Sequence, residues 1–108
     1  MGMEPDLLFE WNERKNASNL AKHGISFLEA AQVFDDPREL SMPDIDHGFG
    51  EERWLSLGIS DSGNVLAVSH TFFLRSGSEV FRLISARLAT KREKELYFSQ
   101  GGVHERGV

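Results

Sequence analysis

A chain of 108 residues, 40% of them apolar and eight of them Phe, is long enough for a real core, and one domain is the default expectation. It contains no cysteine, which excludes a disulfide framework, a thiolate zinc site and a cysteine nucleophile. The net charge of −5 sets the field of the whole molecule against a polyanion, so a nucleic-acid role would need a local patch of cations. The charge is unevenly spread: residues 1–52 carry 12 Asp and Glu against 4 Lys and Arg, net −8, whereas residues 53–108 carry 5 against 8, net +3. No run approaches the ~18 apolar residues of a membrane helix. The acidic start, Met1 to Asp6, has no apolar signal core. The expectation is a cytoplasmic protein without membrane contact: one domain over residues 1–100 and a flexible, Gly-containing tail over 101–108.

Leu7 to Trp11 reads as a short first strand. Asn12 is placed to cap a helix running to about His23, where Gly24 favours a left-handed C-terminal turn. Ser26 to Glu29 is a capping-box pattern that opens a second helix. Its Phe27, Ala30, Ala31 and Phe34 recur at helical spacing, so one face is expected to pack on a sheet, with Phe27, Ala30 and Phe34 against residues 65–74. Asp35-Asp36-Pro37 ends it.

Strands are expected next at Glu39 to Met42 and, after an acidic loop from Pro43 to Gly50, at Arg53 to Ser60, which alternates with a period of two. Asp61 to Asn64 is a turn signal, and Val65 to Leu74 is the longest apolar run, fit for a central strand. Arg75 to Ser78 turns the chain into a strand over Glu79 to Ala86. Thr90 to Glu93 is a second capping box, opening a last helix to about Phe98. The predicted class is α+β in the order β-α-α-β-β-β-β-α. Its antiparallel sheet carries two N-terminal helices on one face, leaves the other face partly open, and is followed by a C-terminal helix.

Several islands along this order resemble one family. They are Phe9-Glu10-Trp11, Lys15, Asn19, Lys22 to Phe27, Glu29-Ala30-Ala31, Val33-Phe34, Glu52-Arg53, Gly58, His70, Arg82 to Arg87, Glu93 and Tyr97. In order and spacing the chain is similar to the BrnT toxins, the small ribonuclease half of a bacterial type II toxin–antitoxin pair. The resemblance implies a RelE-like fold, RNA cleavage without metal or other cofactor, and inhibition by a BrnA-like antitoxin. It also implies contact with DNA only indirectly, through that antitoxin, in a complex that represses its own operon. The chain departs from the pattern in its acidic balance and in Phe72-Phe73-Leu74, where a polar approach to a hairpin would be expected.

Cleaving RNA through its own 2′-hydroxyl needs a base, cationic donors for the phosphorane and an acid for the leaving oxygen. Arginine suits the second role because its planar fork meets two phosphate oxygens. Arg53, Arg82, Arg87, Lys22 and His23 are the catalytic candidates, and Lys15, Asn19 and Tyr97 the RNA-binding ones. On the first helix Asn12, Lys15, Asn19, Lys22 and His23 fall within about 100° of arc, with Ala17, Leu20 and Ala21 expected to face the core.

Each candidate has a plainer alternative. Lys15 and Lys22 could form a solvated face, although the resemblance favours RNA contact; His23 could bond the last helical carbonyls. Arg53 could be an edge charge that blocks sheet pairing. Arg82 and Arg87 have opposite parity on one strand, hence opposite faces unless a bulge intervenes, and either could pair with acids of the first two helices. Tyr97 could stack on a base or be a core aromatic, and His70 reads as a core residue. Asp46 and His47 have ligand chemistry but no matching spacing, so no metal is expected. Two functions therefore stand: a ribonuclease toxin, or an inactive binding module of the same fold acting in a DNA-binding, transcription-repressing complex.

Overall fold

The computed structural model describes residues 7–44 and 53–106. Residues 1–6, the acidic loop with Asp46 and His47, and the last two residues lie outside the described residues. Five strands form one sheet in the order β1-β5-β4-β3-β2, where β1 is Leu7–Glu10, β2 Leu40–Pro43, β3 Trp54–Ile59, β4 Val65–Arg75 and β5 Ser78–Leu88. Three helices flank it: α1 over Glu13–His23, α2 over Phe27–Ala31 tightening into a 3-10 turn over Gln32–Asp35, and α3 over Lys91–Arg106. The predicted element order holds, and α3 continues well past Phe98.

The sheet is mixed rather than antiparallel. The β2–β3, β3–β4 and β4–β5 pairs are antiparallel, but β1 runs parallel to β5, with Glu10 opposite Arg82. Short turns force antiparallel neighbours, whereas β1 reaches β5 only after the chain has passed through the helices and three strands, which leaves its direction free. At the hairpin tip Ser76 and Gly77 both have positive φ, 52° and 83°, the type I′ geometry that matches strand twist.

The α1–α2 face of the sheet buries Phe27, Ala30 and Val33 against Leu66, Val68 and Leu83. Phe34 is half-buried, in ring contact with Phe9, His70 and Phe81 at 5.5, 4.9 and 4.7 Å. Gly58 lets the 3-10 turn lie directly on β3: a Cβ there would come within 2.7 Å of Val33 Cγ1. Across the sheet, Tyr97 of α3 packs with Leu57, Val65 and Ala67, so α3 covers that face over β3 and the start of β4. Asp36 holds the covering in place. Its carboxylate accepts hydrogen bonds from the Tyr97 hydroxyl, the Ile59 N–H at 2.8 Å and the Arg38 N–H at 2.9 Å.

Helix α1 docks the opposite way from its apolar pattern. Ala17, Leu20 and Ala21 are exposed, while Asn19 is buried. The Asn19 amide donates to Ile25 O and Ala86 O at 2.9 and 2.8 Å and accepts from the Ala86 N–H at 3.1 Å. It thus pairs with β5 as a neighbouring strand would, beyond the point where β1 ends. Satisfying three buried backbone groups outweighs burying one leucine.

Asn19→Ala should cost at least about 2 kcal/mol, because each buried backbone group left unpaired costs about 1–3 kcal/mol. Urea denaturation measures it, and a neutral substitution would contradict this role. Acid should weaken the other face. Burial raises the Asp36 pKa, but the hydrogen bonds from Tyr97, Arg38 and Ile59 outweigh it and hold the carboxyl below its ordinary value. A lowered folded-state pKa gives stabilisation that is complete above the ordinary carboxylate range and is lost as pH falls through the lowered value. Protection of the α3 amides against exchange, taken relative to their intrinsic rate at each pH, should therefore fall below about pH 4, and Asp36→Asn should flatten that dependence.

Candidate functional site

Two arginines five positions apart on a regular strand point to opposite faces. Strand β5 is not regular. Ser85 lies opposite Ser69 but Leu83 lies opposite His70, so Ile84 is an extra residue, a β-bulge. Beyond it Arg82 faces Thr71 and Arg87 faces Ala67, and both point to the face turned away from α2 and its 3-10 turn. Arg53 precedes Trp54, which pairs with His70 on the opposite face, so alternation places Arg53 with the other two arginines.

Each β5 arginine is held by a carboxylate. Arg87 makes a two-pronged pair with Glu93 at 2.8 and 3.0 Å, and Glu93 hydrogen bonding, with its charge, raises the guanidinium pKa against burial. Glu93 also closes the α3 capping box, accepting from the Thr90 N–H at 2.9 Å while its own N–H donates to Thr90 Oγ at 3.1 Å. The acid comes from α3, not from the first two helices. Arg82 reaches Glu10 at 2.8 Å and Arg75 reaches the same carboxylate at 3.1 Å, both guanidinium groups standing over the Phe73 ring at 5.9 and 5.2 Å. The hydrogen bond from Arg82 leads the effects that hold the Glu10 carboxyl below its usual range. Between the two clusters Ser69 Oγ donates to Asp44 at 3.1 Å. Side chains of Arg75 and Arg82 remain 57% and 56% exposed, so both can still meet a ligand.

The cations of α1 lie beside this face. One concavity between α1 and the β5 edge is lined by Glu10, Lys15, Arg82 and Ile84; a second, adjoining it, by Arg14, Lys15, Lys22, His23, Ile84 and Ser85. Because Lys15 and Ile84 belong to both, the two adjoin along α1, as a trough in two parts with Arg82 in one and His23 in the other. Lys15 and Lys22 are seven residues apart, about 10 Å along a helix axis. His23 is exposed, and the helix end is capped by the Gly24 N–H donating to Leu20 O at 2.8 Å. Asn19 and Tyr97, expected to contact RNA, are instead buried at 7% and 3% exposure and hydrogen-bonded within the fold. Tyr97 is pushed up to about 12 by burial and by Asp36, so it stays a hydroxyl donor. Sequence reasoning missed Glu10, Phe73 and Arg75 as members of the site. Arg75 shares its alternation with Ser69 and Thr71, but the Glu10 pairing depends on the parallel β1–β5 register. Among the described residues no three His, Asp or Glu converge as a metal-binding group.

Residues 11–93 match the family model described as "Ribonuclease toxin, BrnT, of type II toxin-antitoxin system". The chain belongs to the BrnT family. The solved structure of the Brucella abortus ribonuclease toxin, BrnT, is similar in fold, with a TM-score of 0.55 and 24% identity over 79% of this chain and 97% of that one. No curated protein matches. No helix among the described residues is long and apolar enough to cross a membrane.

In this BrnT-family chain Glu10 competes with any anion for Arg75 and Arg82. Glu10→Gln should therefore raise affinity for a short RNA at low salt by a few-fold, and added salt should erase the gain. Filter binding or fluorescence anisotropy reads it; weaker binding would show that the Glu10 cluster does not meet RNA.

Proposed function

We propose that this chain is an endoribonuclease that cleaves RNA by attack of a 2′-hydroxyl on the adjacent phosphodiester, without a metal ion, in the cytoplasm. A BrnA-like antitoxin would silence it and carry the complex to DNA. The supporting observation is the trough that runs along α1 from Arg82 to His23 and opens at Arg82 onto the face shared with Arg53 and Arg87. Among the described residues of this face, the four guanidinium groups of Arg53, Arg75, Arg82 and Arg87 stand beside three carboxylates, those of Glu10, Asp44 and Glu93.

In this reading Lys15 and Lys22 hold the sugar–phosphate backbone along the helix. Arg82 takes the scissile phosphate, exchanging Glu10 for two phosphate oxygens, and Arg53 and Arg87 stabilise charge as the phosphorane forms. The 2′-oxygen bonds to phosphorus, its proton passes to a base, and the 5′-oxygen leaves with a proton from an acid. The products are a 2′,3′-cyclic phosphate and a 5′-hydroxyl. His23, at the end of the trough, is the imidazole placed to move a proton. The ion pairs Arg82–Glu10 and Arg87–Glu93 favour the rival binding-module reading, because paired arginines are structural until an anion displaces the acid.

Free protein should cleave RNA in excess chelator and leave cyclic phosphate ends. Arg82→Ala should lower kcat by about 10²–10³, the usual loss for one charge-stabilising donor, at unchanged melting temperature. Arg87→Ala should lower both rate and melting temperature, because Arg87 also anchors Glu93; Arg87→Lys should restore only part of the rate. If the free protein neither cleaves RNA nor arrests growth when expressed, the binding module is the correct reading.

A further inference from the structure

On the other face of the sheet, beyond the end of α2, is a cavity of about 580 Å³ that none of this chemistry uses. Its walls are the rings of Phe34, Trp54, His70, Phe72 and Phe81, joined by the carboxylates of Glu39 and Glu79. The rings are mutually braced: Phe34 meets His70 edge-on at 4.9 Å, and Phe81 lies 5.3 Å from Phe72 and 5.6 Å from His70. His70 is 3% exposed and is bonded through Nε2 to Ser56 Oγ at 2.9 Å, and Ser56 Oγ lies 2.8 Å from Ser41 Oγ. Burial pulls its pKa down against the hydrogen bond with the Thr71 backbone and the charge of Glu39, so burial favours the neutral ring over a competing cation. No Lys or Arg is among the described residues that line the cavity, and Glu79 has no ion-pair partner among them.

Half-buried carboxylates beside aromatic walls are costly unless a cation joins them, and the π-faces of Trp and Phe attract the same group. The cavity opens along a strand surface that is itself apolar. Phe72 and Leu74, alternate residues of β4 on this face, are 44% and 67% exposed. A small free cation would leave that apron uncovered, whereas a polypeptide covers it.

We propose that this cavity is a docking site for a basic side chain, arginine or lysine, of a protein partner. The cation sits among the aromatic rings with Glu39 and Glu79 as counter-charges, while flanking apolar residues of the partner lie on Phe72 and Leu74. The site stands independently of the ribonuclease reading. It lies on the face opposite Arg53, Arg82 and Arg87, so its occupant need not displace RNA from the arginines.

The test uses the full chain carrying Trp11→Phe, which leaves Trp54 as the single tryptophan. The probe is a short capped peptide with a central arginine between leucines; its control replaces that arginine with citrulline, which keeps the shape and removes the charge. Saturable change in Trp54 fluorescence is expected with the arginine peptide, and binding at least about tenfold weaker with citrulline. Combining Glu39→Gln with Glu79→Gln should give the same loss; should that variant fold poorly, Phe72→Ala, at an exposed position, should weaken binding instead. Arg82→Ala should leave peptide affinity unchanged. The proposal is overturned if millimolar arginine peptide gives no saturable change, if citrulline binds equally well, or if Arg82→Ala abolishes binding.

Discussion

The side chain of Asn19 bonds a helix to a strand edge, and the shape of the candidate surface follows from that bond. Strand β1 covers β5 only as far as Arg82, so beyond it the β5 backbone needs another partner. Asn19 supplies it, accepting from the Ala86 N–H and donating to Ala86 O. With that point fixed, α1 lies along β5 with Lys15 and Lys22 on the side of the arginines. A helix docked by its leucine would turn the same lysines away from the strand. The amide acts here as a piece of backbone, and its polarity directs the helix more strongly than the apolar moment does.

The bulge at Ile84 is the second determinant. One inserted residue changes the parity of the strand, bringing Arg82 and Arg87 to one face. Their charges are then shared in two clusters. At one end Arg87 and Glu93 join β5 to the first turn of α3, so a cation suited to phosphate also secures a helix. At the other, Arg75 and Arg82 share Glu10 above the ring of Phe73. Exposed ion pairs of this kind contribute little to stability, and a phosphate with two anionic oxygens can take the place of the carboxylate. The acid keeps the free guanidinium groups ordered and exchangeable.

The two faces of the sheet near the hairpin differ in kind. One presents guanidinium groups around a single ring, suited to an anion. The other presents, among the described residues, five rings with two carboxylates, suited to a cation. Alternation along β4 creates this polarity: Thr71, Phe73 and Arg75 point one way, His70, Phe72 and Leu74 the other. The aromatic run before the turn, a departure from the expected polar approach, therefore divides its work between two surfaces.

The sequence by itself determined the elements and their local signals. Asn12, Ser26 and Thr90 cap helices, Gly24 ends one, and a turn at Ser76-Gly77 joins the two long strands, all through interactions within a few residues. It also supplied the family, because the spaced islands from Phe9 to Tyr97 carry it. Tertiary structure alone decided three things: the parallel placement of β1, which brings Glu10 to Arg82; the bulge, which aligns Arg82 with Arg87; and the inward turn of Asn19, which reverses the apparent amphipathicity of α1. Each depends on pairing between backbone groups distant in the chain. Periodicity reports which side of an element is apolar; it carries no term for an unpaired strand edge elsewhere, and that edge chose the orientation of the helix.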